Sequence, residues 1–228
     1  MYEIMNTYAK KIIVGGASTA YGMYDLERGG WVNRLKLDTL AYTQHHPLNP
    51  MSVLNLAEVG SSLDRTAKTV LEQRTYSHED TALVISAGIN EAKIPRGRIR
   101  PYMDLERFGT ILLNFCEIGL ELRGVSALML VGPQRVDEAR NSPNRLGTYL
   151  EDDLVAEYSQ IMQDTAQETG ATFVDCRSLF DRRTTDPEHF TDLLAVDGYH
   201  PNDVMHEIMK AEVKLGLANA GFWPADNQ

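Results

Sequence analysis

Four short stretches of the 228-residue chain hold residue types able to make and break an acyl bond. In "GGASTAYG", Ser18 follows Gly15, Gly16 and Ala17. "NLAEVGSS" holds Asn55 and Gly60, and "AGINE" holds Gly88, Asn90 and Glu91. In "VDGYHPN", Asp197 stands three residues before His200. A serine hydroxyl is a weak nucleophile until an adjacent base takes its proton. An imidazole is such a base, and a carboxylate fixes its tautomer and steadies the imidazolium. The developing oxyanion needs donors placed beforehand. The backbone N–H groups of Ser18 and Gly60 and the side-chain amide of Asn90 are candidates.

A glycine-rich turn after an apolar run also suits a phosphate. "GGASTAYG" lacks the Gly-Lys-Ser/Thr ending of a Walker A loop and does not fit GxGxxG. A phosphate cradle would also leave Asn90, Asp197 and His200 without a task. The joint pattern favours acyl transfer.

These residues need a scaffold that brings distant stretches together. Short apolar runs at 11–16, 52–58, 81–88, 125–133 and 171–177 read as strands. Helical patterns lie between them at 29–42, 61–74, 103–124 and 148–170, with a closing helix over 202–221. Trp31, Leu35 and Tyr42 share one face of the first helix. Ser61 or Ser62 is the expected cap of the second; Asp104 caps the third and Gly124 ends it. The strands are near-continuous apolar runs, as expected when both faces are covered. Five strands alternating with helices predict an α/β fold: a three-layer α/β/α sandwich on a five-stranded parallel sheet, in a single domain spanning 1–228. In such sheets sites form at the carboxyl ends of strands. All four stretches then share one edge.

Composition narrows the function classes. The net charge of −10 argues against nucleic-acid binding, which needs basic surface. Cys116 falls in a helical pattern and Cys176 at the end of a strand-like run. Two isolated cysteines read as buried thiols in a reducing compartment. The opening "MYEIMNTYAKK" lacks a signal-peptide layout, and no apolar run approaches the ~20 residues of a membrane span. A cytoplasmic protein is expected. His45, His46, His78 and His189 lack metal-ligand spacing and are expected at the surface. The run "KIPRGRIRP" holds Lys93, Arg96, Arg98 and Arg100. It is either a solvated loop or a lid that attracts an anionic group. The stretch 179–200 is long for a connection and is expected to shape the acyl pocket beside His200.

On Ser18, Gly60, Asn90 and Asp197-x-x-His200, with "GGWVNRL" after the first stretch, the chain resembles the SGNH hydrolases, also called GDSL-type esterases and lipases. The resemblance spans nearly the whole chain. It implies a flavodoxin-like sheet and hydrolysis of a small carboxylic ester or thioester without metal or cofactor. Ser18 would be the nucleophile, His200 the general base and Asp197 its orienter. Ser18, Gly60 and Asn90 would form the oxyanion hole. Two departures stand out. The family's Gly-Asp-Ser is Gly-Ala-Ser here, and its Gly-x-Asn-Asp is Gly-Ile-Asn-Glu. Glu91 is expected to take over part of the role of the aspartate missing at Ala17. An acyltransferase and a non-catalytic ligand binder on the same scaffold stay open, as does the oligomeric state.

Overall fold

The computed structural model describes residues 9–75, 79–141, 143, 147–183 and 187–224. His78 lies outside the described residues, as does the side chain of His189. In chain order the elements are β1 (Lys10–Gly16), α1 (Ser18–Tyr21), α2 (Gly30–His45), β2 (Met51–Asn55), α3 (Leu63–Thr75) and β3 (Asp80–Ser86). Then come α4 (Ile89–Ala92), β4 (Ile94–Pro95), α5 (Leu105–Glu121), β5 (Val125–Val131), α6 (Glu138–Asn141) and β6 (Thr148–Tyr149). The chain continues through α7 (Asp152–Thr169), β7 (Thr172–Val174), α8 (Cys176–Arg183), a 3-10 helix (Pro187–Leu193) and α9 (Asp203–Asn219).

Five strands form one parallel sheet in the order β2-β1-β3-β5-β7. Counting only these strands, this is the 2-1-3-4-5 flavodoxin-like order, whose direction reverses between β1 and β3. Strand side chains alternate between two cores. Ile12, Val14, Val84 and Met129 pack with Trp31 and Leu35 of α2 and Met205, Met209 and Val213 of α9. Ile13, Leu83, Ile85 and Leu128 pack with Val70 of α3, Phe108 and Phe115 of α5, and Tyr158 and Met162 of α7. Each such side chain contributes about 1.5–3 kcal/mol by leaving water. Trp31 and Leu35 are fully buried, and Tyr42 packs against the same core. Among the described residues no helix is long and apolar enough to cross a membrane.

Several boundaries differ from the sequence reading, each for a local reason. The second strand stops at Asn55, not 58, because the Asn55 side-chain Oδ1 accepts from the Ala57 N–H at 2.9 Å and turns the chain. The fifth stops at Val174. The Asp175 carboxylate accepts from the Ser178 N–H at 3.1 Å, so Cys176 opens a helix rather than ending a strand. The helix predicted from 148 starts at Asp152, because Thr148–Tyr149 pairs antiparallel with Ile94–Pro95. Asp104 does cap α5, accepting from the Arg107 N–H at 2.8 Å, but the helix ends at Glu121, before Gly124. Both cysteines are buried, and burial pushes the Cys116 thiol up to about 11.

A buried ion pair shapes the loop between α1 and α2. Asp25 accepts from Arg34 Nε at 2.7 Å and from the N–H groups of Glu27, Arg28 and Gly30 at 2.9–3.2 Å. Burial opposes ionisation, but these bonds and the arginine charge hold its carboxyl well below the usual range. The loop closes where Gly22 meets Gly29 and Gly30. A Cβ on Gly22 would lie 2.0 Å from the Gly29 carbonyl oxygen, and its φ of +95° already favours glycine.

His206 of α9 is fully buried and escaped the sequence reading. Its Nδ1 accepts from the Trp31 N–H at 3.3 Å, and its Nε2 lies 3.4 Å from the Met23 carbonyl. The neutral Nε2–H tautomer satisfies both. Burial pushes its pKa down to about 4. An unfolded histidine takes up a proton near pH 6.5, while the folded one waits until about 4. Stability is therefore complete above about pH 6.5 and falls as pH drops toward 4, by about 3 kcal/mol in total from this group. Urea unfolding at pH 7 and pH 5 is expected to show this loss, and His206→Asn to flatten the slope.

Candidate active site

β1 ends at Gly16, and Ser18 opens the one-turn helix α1. As a first-turn residue its N–H has no intrahelical acceptor. Ser18 Oγ lies 2.7 Å from His200 Nε2, and His200 Nδ1 lies 2.6 Å from Asp197 Oδ2. Ser18 and His200 are both buried, 4% and 2% exposed, so water competes little for these bonds. Asp197 Oδ1 also accepts from the N–H groups of Tyr199 and His200 at 3.3 and 3.1 Å. Burial raises the Asp197 pKa, but the bonds and charge from His200 and the two backbone donors outweigh it, and the carboxyl sits below its ordinary value. An ionised Asp197 can only accept, so the proton of a neutral His200 sits on Nδ1. That leaves Nε2 as an acceptor for the Ser18 hydroxyl.

The turn carrying Asp197 is tight. The Ala195 N–H donates to the His200 carbonyl at 2.8 Å, and the Gly198 N–H donates to that of Ala195 at 3.1 Å. Gly198 has φ +78°, and a Cβ there would lie 2.6 Å from Arg140 Cβ and 2.9 Å from the Asp137 oxygen. Just beyond, Asn202 caps α9 by accepting from the Met205 N–H at 3.0 Å. Asp197 is thus free of capping duty. The rings of Tyr199 and Tyr24 flank His200, with centroids 4.3 and 5.3 Å away.

Gly60 lies in the loop after β2, and Asn90 lies in the one-turn helix α4 after β3. Asn90 Nδ2 donates to the Ser61 carbonyl at 2.9 Å. Neither Ser61 nor Ser62 caps α3 through its side chain: Ser61 Oγ pairs with Thr66 Oγ1, and Ser62 Oγ donates to Asp64. The cap comes from across the sheet edge. Glu91 Oε1 accepts from the Leu63 N–H at 2.7 Å, and Oε2 accepts from the Gly88 N–H at 2.9 Å. Glu91 is 3% exposed, and desolvation raises its pKa despite these donors and the Lys93 charge. Its carboxylate clips the second stretch to the third.

Glu91 therefore does not do what was expected of it. Both oxygens are committed away from the Ser18 turn, and among the described residues no hydrogen bond joins them to residues 15–22. Other groups hold that turn. Asn55 Nδ2 donates to the Ala20 carbonyl at 3.2 Å, and the Glu58 N–H donates to that of Gly16 at 3.1 Å. Gln134, 1% exposed, points Nε2 at the Tyr199 carbonyl and lies 3.5 Å from Thr19 Oγ1. This carboxamide ties the serine helix to the histidine loop. Gln134 follows directly on the fourth predicted strand, so the strand-end rule would have found it.

Two spaces adjoin these groups. A hollow of about 20 Å³ is bordered by Ala17, Ser18, Gly88, Asn90, Pro133 and Gln134. A groove of about 380 Å³ is lined by Gly60, Asn90, Lys93, Tyr102, Met103 and Thr148. Asn90 borders both. Of the stretch 179–200, Leu179 and Phe180 are buried in the core that α9 packs on, and Tyr199 and His200 stand at the site. The basic run divides. Arg96, Arg98 and Arg100 are exposed, while Lys93 is buried. His45 and His46 are exposed as expected.

No family model matches the sequence, and no curated protein matches it. Solved structures do. A lipase/acylhydrolase from Enterococcus faecalis superposes with a TM-score of 0.70 at 20% identity, over 93% of this chain and 96% of that one. A catalytic mutant of an acetylxylan esterase from Geobacillus stearothermophilus gives 0.65 at 18% identity, over 96% and 97%. An alpha/beta hydrolase enzyme from the metagenome of Lake Arreo, Spain, gives 0.65 at 18%, over 95% and 96%. The chain has the fold of the SGNH hydrolases. The carboxylate at 91 is a structural clip. Glu91→Gln removes one of the clip's two acceptors and is expected to cost about 1–3 kcal/mol in urea unfolding; Glu91→Ala removes both and should cost more.

Proposed function

We propose that the protein is a serine hydrolase that cleaves a small carboxylic ester through an acyl-enzyme on Ser18. The observation that carries this reading is the relay from Ser18 Oγ through His200 to Asp197, at 2.7 and 2.6 Å. In the proposed reaction, Oγ attacks the ester carbonyl while its proton passes to His200 Nε2. Asp197 stabilises the imidazolium. The Ser18 and Gly60 N–H groups and the Asn90 amide receive the oxyanion. Collapse of the tetrahedral intermediate expels the alcohol, which takes its proton from His200. Water then attacks the acyl-enzyme by the same route, and the acid leaves as Oγ regains its proton.

The two spaces suggest how a substrate lies. The hollow beside Ser18 holds about one water-sized group, which suits an acetyl. The wider groove suits a larger leaving group. The esterase and acylhydrolase names of the structural relatives agree with this class of reaction.

The test is hydrolysis of p-nitrophenyl esters. Ser18→Ala and His200→Ala are each expected to lower kcat by roughly 10⁴-fold or more. Activity that survives Ser18→Ala would end the assignment, and a protein indifferent to His200→Ala would point back to a phosphate or nucleotide binder. A fluorophosphonate should label wild type and spare Ser18→Ala. Acyl length gives a second check. The acetate should exceed the octanoate in kcat/KM by roughly tenfold or more, since each misfit methylene costs about 1–3 kcal/mol; equal values would remove the hollow as the acyl site.

A further inference from the structure

Lys93 is a lysine in an unusual place. It closes α4 and sits 8% exposed, with its carbonyl accepting from the Tyr102 N–H at 3.0 Å. Asn90 stands three residues earlier, and the one-turn helix between them sets both side chains on one face. Lys93 Nζ donates to Asn90 Oδ1 at 2.8 Å and lies 4.9 Å from the centroid of the Tyr199 ring, next to His200. Burying an ammonium is costly. Desolvation pushes the Lys93 pKa down, and the charges of Glu91 and Asp197 oppose that shift. Both carboxylates are already occupied by other donors. Among the described residues Asn90 Oδ1 is the one hydrogen-bond acceptor Lys93 reaches.

We propose that Lys93 is a positioning residue of the oxyanion site, holding the Asn90 carboxamide in one orientation and placing a positive charge behind it. An ammonium cannot accept and a carbonyl cannot donate, so Lys93 fixes Oδ1 and the Ser61 carbonyl fixes Nδ2. The amide cannot flip without losing both bonds. One Nδ2 hydrogen goes to Ser61, and the other is left for the oxyanion. The charge on Lys93 polarises the amide toward that hydrogen, in a site where little water screens it. This inference rests on the proposed ester hydrolysis and adds a group that reaches the reaction only through Asn90.

The experiment is a double-mutant cycle on kcat for p-nitrophenyl acetate, with Lys93→Met, Asn90→Ala and the pair. Asn90→Ala should lose about 10²–10³ in kcat, as for a missing oxyanion donor, and Lys93→Met about 10–100-fold with KM little changed. The pair should be no worse than Asn90→Ala within about threefold, because the charge then has no amide to act through. A Lys93→Met kcat at the wild-type level, or single losses that multiply in the pair, would overturn the assignment. If Lys93→Met does not fold, Lys93→Gln is read by the same criteria. If wild type turns over no ester tested, the cycle is read on the rate of fluorophosphonate labelling, whose phosphoryl oxygen takes the oxyanion position. Hydrolysis or labelling that persists in Ser18→Ala defeats the reading of the site itself. Loss in Ser18→Ala with an unaffected Lys93 variant defeats only the role of Lys93.

Discussion

Parallel pairing of β1 with β2 on one side and β3 on the other organises the edge where the candidate site lies. Parallel strands must be joined by crossovers that return over the sheet, so every strand ends at the same edge. Residues separated by most of the chain are thereby delivered to one place. Ser18 follows β1, Gly60 lies beyond β2, and Asn90 follows β3. His200 arrives from the segment before α9, 182 positions from Ser18. The pairing itself is held by two apolar cores.

The loops at that edge are then fixed by a few buried polar groups. Glu91 joins the second and third stretches, Gln134 joins the first to the fourth, and Asp25 with Arg34 shapes the loop beyond α1. Each makes several bonds, which is how a buried polar side chain repays its desolvation. These groups also explain how Ser18 stands in place beside Ala17. The turn is held from outside by Asn55, the Glu58 N–H and Gln134.

Much of this was legible in the sequence, and the failures share one cause. The sheet, the order of elements and the candidate residues Ser18, Asp197, His200 and Asn90 followed from apolar periodicity and strand-end position. The cap of α3 did not. Ser61 and Ser62 sit where a local cap belongs, but a carboxylate 28 residues away took the Leu63 N–H. Lys93 reads in sequence as one of a run of surface cations; only its burial separates it from Arg96, Arg98 and Arg100. Leu179 and Phe180, at the start of a stretch that reads as a site loop, are core residues instead.

The sequence by itself determined the alternation of strands and helices, and with it the edge where Ser18, Asn90 and Asp197-x-x-His200 meet, because hydrophobic period and turn residues act over a few positions. Tertiary structure alone decided which buried polar groups pair. Glu91 with Leu63 and Gly88, Lys93 with Asn90, and Gln134 with the histidine loop are partnerships between distant segments. No local pattern encodes them, because a desolvated donor or acceptor takes whichever partner the packed chain brings within reach.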